Sequence, residues 1–198
     1  MLKDINRREL FKTSAAAGAM VIAGDLFMGR SPVAYGEVNM TIDDVFNAAK
    51  TGFAYLYAYV NTVAQEIGRE RAIGLMTKMF ENMGAIRGKM MKERAGNKEF
   101  DAKAACSLIR ISKDSVGFSY KVVEESAQRV VIRNDRCPMY EAARALGMDA
   151  KTIETVCRGG PLSGMNASVK QLNPNLNIRL QKLRSTPDDF CEEVMILT

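Results

Sequence analysis

The chain contains no histidine and no tryptophan in its 198 residues. Histidine is the general base of Ser-His and Cys-His catalysis, so its absence excludes both arrangements together with every histidine-ligated metal site. Acid–base chemistry must therefore use cysteine, aspartate, glutamate, tyrosine or lysine side chains. This exclusion limits the possible mechanisms more than any single motif in the sequence.

The sequence also lacks a basic block interleaved with aromatic residues. Lysine and arginine (28) outnumber aspartate and glutamate (23), but the two signs are interspersed, as in residues 66–71. We therefore expect no nucleic acid among the partners of this protein. Beyond the N-terminal region, no apolar segment reaches the length of a membrane span.

The N-terminal segment has the order of charge and hydrophobicity found in an export signal. Arg7 and Arg8 precede a run of small and apolar residues, 15–24, which Asp25 interrupts. That run is too short and too rich in glycine and alanine to span a bilayer. The segment resembles a twin-arginine signal peptide, whereas an ordinary amphipathic helix would leave the arginine pair and the alanine-rich run unexplained.

The small residues at 34–36 have the small-x-small pattern that a signal peptidase accepts, with cleavage near Gly36. We therefore predict a signal peptide over residues 1–36 and one domain over residues 37–198. The resemblance implies the twin-arginine export machinery as a partner and an exported, periplasmic location. Proteins of this class are exported already folded, often because a cofactor is inserted first.

The spacing of apolar residues predicts helices first and then a sheet interrupted by helices. Thr41 with Asp44 is typical of a helix start, and alternation after residue 117 is typical of strands. The predicted helices cover residues 41–67, 73–90, 102–111, 138–146, 150–157 and 166–171, with a loop at 160–164. The predicted strands cover residues 118–122, 129–133, 176–183 and 190–197. We therefore predict the α+β class, with N-terminal helices followed by a hairpin, helices and a second hairpin in a four-stranded antiparallel sheet.

The four cysteines are Cys106, Cys137, Cys157 and Cys191, and none belongs to a CxxC pair. A zinc ribbon and a thioredoxin-like site are therefore not supported. Cys106 lies on an apolar helix face and is interpreted as a small buried hydrophobe. Cys157 lies on the face of Ile153 and Val156, and Cys191 lies in the last predicted strand.

Cys137 directly precedes Pro138, and proline favours the first position of a helix. This places Cys137 at the N-cap, where free backbone N–H groups and the helix dipole stabilise a thiolate. A thiol with a lowered pKa would act as a nucleophile or a metal ligand. The alternative is that Cys137 only fills the corner between a strand and a helix.

Tyr55, Tyr57 and Tyr59 alternate along the first predicted helix and so point in different directions. Some of these rings are placed to line an apolar pocket for a small ligand, or to contact a partner in a homodimer. The sequence leaves both alternatives open.

Four segments carry a resemblance to a known family: residues 137–147, Cys157, residues 172–175 with an Asn-Pro step, and residues 188–192. Together they resemble the L-2-amino-thiazoline-4-carboxylic acid hydrolase family, over roughly the last two-thirds of the mature chain. The closing strand is also similar to the 4-vinyl-reductase-like domain, a small-molecule-binding module whose cysteines can hold zinc.

The hydrolase resemblance implies addition of water to a cyclic C=N group that bears an amino group. It implies a site at Cys137, Cys157 and Cys191, with Glu141 as general base or acid and Asp189 as a second carboxylate. Three thiolates with a water molecule would hold Zn²⁺ and activate that water.

Two alternatives remain open beside this hydrolase. One is an exported, non-enzymatic module that binds a metal or a small ligand, in which an Fe–S cluster would need Cys106 as a fourth ligand. The other is that all four cysteines are structural and form two disulfides after export.

Overall fold

The computed structural model describes residues 41–96 and 98–198. The predicted signal peptide and its cleavage site lie outside the described residues. The helices are α1 (Ile42–Ile67), α2 (Arg69–Arg94), α3 (Ala102–Asp114), α4 (Pro138–Ala145), α5 (Ala150–Cys157) and α6 (Ser163–Leu172). The strands are β1 (Ser119–Glu125), β2 (Arg129–Arg136), β3 (Leu176–Lys182) and β4 (Cys191–Leu197).

The four strands form one antiparallel sheet in the order β1-β2-β4-β3. The two C-terminal strands therefore pair with the first hairpin through β2 and β4. In this pairing Asn134 lies opposite Cys191, and Ile132 lies opposite Glu193. The predicted α+β class and the four-stranded antiparallel sheet are confirmed.

Helix α1 begins with the predicted capping box. The Thr41 hydroxyl accepts a hydrogen bond from the Asp44 backbone N–H, and the Asp44 carboxylate accepts one from the Thr41 N–H. These two bonds satisfy backbone donors that a helix start otherwise leaves without partners. Gly68, with a φ of 85°, then separates α1 from α2.

The predicted loop at residues 160–164 is wrong, because a π-helical turn over Arg158–Leu162 joins α5 directly to α6. Gly159 and Gly160 lie against α2, where a Cβ on Gly160 would be 3.1 Å from the Phe80 ring. The glycine pair therefore permits close helix packing at this position rather than ending the helix.

Helices α2 and α6 approach each other through glycine. A Cβ placed on Gly84 would lie 2.0 Å from the Gly164 carbonyl oxygen, and one on Gly88 would lie 2.3 Å from the Ser168 carbonyl oxygen. The Ser168 hydroxyl donates a hydrogen bond to the Gly84 carbonyl oxygen at 2.9 Å. This contact holds α6 against the long helix α2 and so fixes the π turn that follows Cys157.

The core has two clusters of buried side chains. One packs α1, α2, α4 and α5 together and contains Cys137; the other packs α3 and α6 against the sheet and contains Cys106. No helix in the described part of the chain combines the length and the apolar character that a bilayer span needs.

Candidate functional site

The three cysteines of the predicted site line one small cavity. Cys137 is the N-cap of α4, Cys157 is the last residue of α5, and Cys191 is the first residue of β4. The cavity has a volume of about 40 Å³. Its other lining residues are Phe118, Asn134, Met139, Tyr140, Pro161, Leu162, Met165, Leu180, Leu183 and Glu193.

Cys137 occupies the predicted N-cap position, with Pro138 as the first residue of α4. The backbone N–H of Tyr140 favours the thiolate, but burial outweighs it and raises the pKa of Cys137 to about 11. The predicted lowering of this pKa is therefore wrong. The physical reason is that the end of a short helix cannot compensate for the burial of the thiol.

Burial also raises the pKa of Cys157, and the nearby Cys137 and Cys191 sulfurs raise it further because like charges repel. At neutral pH, Cys137 and Cys157 are therefore protonated thiols. Both can donate a proton, and neither is a ready nucleophile in the absence of a metal ion.

A buried polar cluster that sequence reasoning missed lies beside the cysteines. Lys113 Nζ lies 2.8 Å from Glu193 Oε2, and the same ammonium donates a hydrogen bond to Asn134 Oδ1 at 2.9 Å. Lys113 also lies over the Phe118 ring, with Nζ 4.5 Å from its centroid. The pair is almost fully buried. A lysine and a glutamate can occupy the core here because each neutralises the charge of the other.

Arg184, just after β3, is the second buried cation at this site. Its Nη1 and Nη2 donate to the carbonyl oxygens of Asp135 and Asn134 at 2.9 and 2.5 Å. Its Nε donates to Cys191 Sγ at 3.3 Å. The guanidinium also stacks 4.8 Å from the centroid of the Tyr140 ring. Sequence reasoning missed Arg184 because an arginine after a strand is usually exposed.

Three buried polar atoms near the cysteines have no hydrogen-bond partner among the described residues: Asn134 Nδ2, the Tyr57 hydroxyl and Glu193 Oε2, whose contact with Lys113 is an ion pair. The Tyr57 pKa is raised well above its usual range, first by burial and then by the proximity of Cys157 and Cys137. A buried donor without a partner costs free energy, so such atoms indicate places where a ligand or water binds.

The structure does not bring Glu141 or Asp189 into the cavity. Glu141 lies on the outer side of α4, with Lys50 Nζ at 3.5 Å and Arg136 Nε at 3.7 Å. Asp189 pairs with Lys182 Nζ at 2.6 Å and accepts the Ser185 backbone N–H, and these contacts lower its pKa. The carboxylate at the cavity is Glu193 instead. The alternation of Cys191 and Glu193 on one face of β4 is the sequence signal that indicates it.

No group of three or more Cys, Asp and Glu side chains within residues 41–96 and 98–198 has an arrangement that would hold a metal ion. The donor chemistry at the cavity, three sulfurs and one carboxylate, nevertheless suits zinc. The zinc site therefore stays a prediction. Cys106 belongs to the other core cluster and does not line the cavity, and all four cysteines are free thiols.

The fold and the cavity define an α+β domain in which three cysteines line one small cavity. The model of the L-2-amino-thiazoline-4-carboxylic acid hydrolase family matches residues 48–192. The chain belongs to this family. All three site cysteines lie within the matched residues.

A comparison with curated proteins gives no match. Among solved structures, the chain is similar to the phenol-responsive sensory domain of the transcription activator PoxR, crystallised with phenol. The two chains are 16% identical, the match covers 73% of this chain and 74% of that one, and the TM-score is 0.49.

Proposed function

We propose that this protein is a hydrolase that opens a cyclic C=N substrate of the thiazoline-carboxylate class at the cysteine cavity. Membership of the hydrolase family supports the reaction class. The observation that carries the proposal is the convergence of Cys137, Cys157 and Cys191, from three separate elements, on one cavity that also contains Glu193.

The reaction requires a nucleophile and a proton donor. The oxygen of water becomes bonded to the ring carbon between nitrogen and sulfur, and the bond from that carbon to sulfur breaks. One proton of the water ends on the ring nitrogen and the other on the leaving sulfur. In a chain without histidine, the groups lining the cavity that can perform these steps are the three thiols, the Glu193 carboxylate and the Tyr140 hydroxyl.

A cavity of about 40 Å³ holds a few water molecules and is smaller than a thiazoline ring with its substituents. Substrate binding therefore requires the lining side chains to move apart. Met139 and Met165 both line the cavity, and unbranched methionine side chains change conformation at low cost.

The test uses serine substitutions and a matched control. We expect Cys137→Ser, Cys157→Ser and Cys191→Ser each to lower kcat/KM for L-2-amino-thiazoline-4-carboxylate by about tenfold or more. Cys106→Ser is the control, because Cys106 is also a buried free thiol but lies outside the cavity. The proposal is wrong if the full chain does not turn over this substrate, or if all four variants retain the parent rate.

A second candidate function is a non-enzymatic module that binds a metal ion or a small ligand. The small size of the cavity favours it, since a volume of about 40 Å³ fits an ion better than a ring. Three thiolates would then hold zinc and balance its charge, and none of them would act as a nucleophile. Metal analysis of the full chain purified without chelator tests this candidate: bound zinc that Cys137→Ser loses and Cys106→Ser keeps would support it.

We also propose that the protein is exported through the twin-arginine machinery. The support is the order of Arg7, Arg8 and the small apolar run in the sequence. Replacing both arginines by lysine preserves the charge and removes the recognition pair. The exported form should then disappear from the periplasmic fraction, and its persistence would contradict this proposal.

A further inference from the structure

Two buried polar groups at the cavity have hydrogen-bonding capacity that the described residues leave unused. Asn134 is 1% exposed, Glu193 is also buried, and both line the cavity. Asn134 Nδ2 has no hydrogen-bond partner among the described residues. Glu193 Oε2 has none either, since its contact with Lys113 Nζ at 2.8 Å is an ion pair. Unused capacity in a buried site is unfavourable unless a ligand or water completes it.

The strand register places these two groups side by side. Asn134 lies opposite Cys191 in the pairing of β2 with β4, and Glu193 is two residues further along β4. Directly opposed residues occupy the same face of a sheet, and so do residues two apart on one strand. The amide of Asn134 and the carboxylate of Glu193 therefore share a face, and Lys113 Nζ contacts both, at 2.9 and 2.8 Å.

Lys113 sets the order of donor and acceptor in this pair. An ammonium group only donates, so the Asn134 amide oxygen faces Lys113 Nζ and the amide nitrogen faces away from it. The backbone at Asn134 is also fixed, because Arg184 Nη2 donates to its carbonyl oxygen at 2.5 Å. A carboxylate has acceptor positions on both oxygens, and Lys113 occupies one of those on Glu193. The site therefore offers a donor, Asn134 Nδ2, beside an acceptor, the Glu193 carboxylate.

We infer that Asn134 and Glu193 are the specificity-determining residues of this cavity and that together they recognise an amino group on a C=N carbon. Asn134 Nδ2 donates to the lone pair of the ring nitrogen, and the Glu193 carboxylate accepts an N–H of the amino group. This inference rests on the proposed function and names the part of the substrate that the site recognises. The sequence-based prediction gave the carboxylate roles to Glu141 and Asp189, and neither of these lines the cavity.

An amino-substituted C=N group is the hydrogen-bonding complement of this pair. Its ring nitrogen is an acceptor, its amino nitrogen is a donor, and both are bonded to the carbon to which water adds. Two hydrogen bonds to these atoms would hold that carbon in one position. Negative charge develops on the ring nitrogen as water adds, and the Asn134 N–H would stabilise it. A ring with N–H and C=O at the same positions would instead oppose donor to donor and acceptor to acceptor.

The experiment compares two ring analogues that differ in this order of donor and acceptor. In 2-aminothiazole-4-carboxylate, a ring-nitrogen acceptor lies beside an amino donor. In 2-oxo-4-thiazoline-4-carboxylate, a ring N–H donor lies beside an oxygen acceptor. Both rings resist opening, so calorimetric titration of the full chain measures binding without turnover. We expect the parent chain to bind the amino analogue about 100-fold more tightly than the oxo analogue.

An exchange of the two side-chain types should reverse this preference. Asn134→Asp/Glu193→Gln keeps one carboxylate and one amide beside Lys113, so it preserves the buried charge while it exchanges donor and acceptor. We expect this double variant to bind the oxo analogue about tenfold more tightly than the amino analogue. Glu192→Gln is the matched control, because Glu192 is a neighbouring carboxylate that pairs with Arg133 and does not line the cavity. This control should keep the parent preference.

Equal affinities of the parent chain for the two analogues, or binding of neither, overturn the inference. A double variant that is folded by circular dichroism and keeps the parent preference overturns it too. If the double variant is unfolded, Asn134→Leu replaces it: the loss of the donor should reduce the preference about tenfold or more, and an unchanged preference contradicts the inference.

Hydrolysis of the thiazoline by the parent chain is measured separately, so the two proposals can fail independently. Hydrolysis without a preference between the analogues refutes the inference while the proposed function stands. A preference for the amino analogue without hydrolysis refutes the proposed function, and the assignment of Asn134 and Glu193 as the recognition pair stands.

Discussion

Breaking the buried pair between Lys113 and Glu193 gives the sharpest stability prediction. Lys113→Met removes the ammonium and leaves the Glu193 carboxylate buried without the partner that now lies 2.8 Å away. The side chains of the pair are only 2% and 9% exposed, so water cannot replace the lost partner. We expect the free energy of unfolding to fall by about 3–5 kcal/mol.

The reverse substitution, Glu193→Leu, should be at least as damaging. It leaves two buried cations, Lys113 and Arg184, which both donate to Asn134. The double variant Lys113→Met/Glu193→Leu removes both charges of the pair and should be more stable than either single variant, because no charge of the pair is left orphaned. The difference between the double variant and the sum of the single variants measures the coupling.

The assay is urea unfolding of the full chain under reducing conditions, followed by circular dichroism. Lys103→Met is the matched control: its pair with Glu125 has an N–O distance of 3.3 Å, but Lys103 is 60% exposed. This control should cost about 1 kcal/mol or less. The reasoning is refuted if Lys113→Met costs no more than Lys103→Met, or if the effects of the two single variants at the buried pair simply add.

Two further predictions concern packing and pH. Gly84→Ala would place a Cβ 2.0 Å from the Gly164 carbonyl oxygen and should lower the free energy of unfolding by about 1–3 kcal/mol. Gly74 lies on the same helix, and a Cβ there would have nothing within 4 Å. In the same urea assay, Gly74→Ala should therefore be neutral or stabilising. Burial raises the pKa of Cys106 from 9.0 to about 11, so the folded state holds this proton more tightly than the unfolded state does. The contribution of the protonated Cys106 thiol to the free energy of unfolding is present below pH 9 and is lost as the pH rises toward 11. The stability advantage of the parent chain over Cys106→Ala should therefore shrink across this range. A constant difference would contradict the raised pKa of Cys106.

The local structure was largely predictable from the sequence because it depends on near neighbours. Helical and alternating periodicity located the helices and strands, and Thr41 with Asp44 marked the start of α1. Cys137 before Pro138 located the N-cap of α4. The turn at Arg158–Leu162 was missed because the glycine pair there serves a contact with α2, which is distant in sequence.

The sequence by itself determined the elements, the absence of histidine chemistry and the three cysteines of the candidate site. Only the tertiary structure decided which charged groups accompany those cysteines. Sequence periodicity indicates which face of its own helix or strand a residue occupies. It does not indicate which residues of another element pack against that face. Lys113, Glu193 and Arg184 therefore resemble ordinary surface residues in the sequence. They are buried because α3, β2 and β4 bring opposite charges and hydrogen-bonding partners together, and that compensation arises only when the chain is folded.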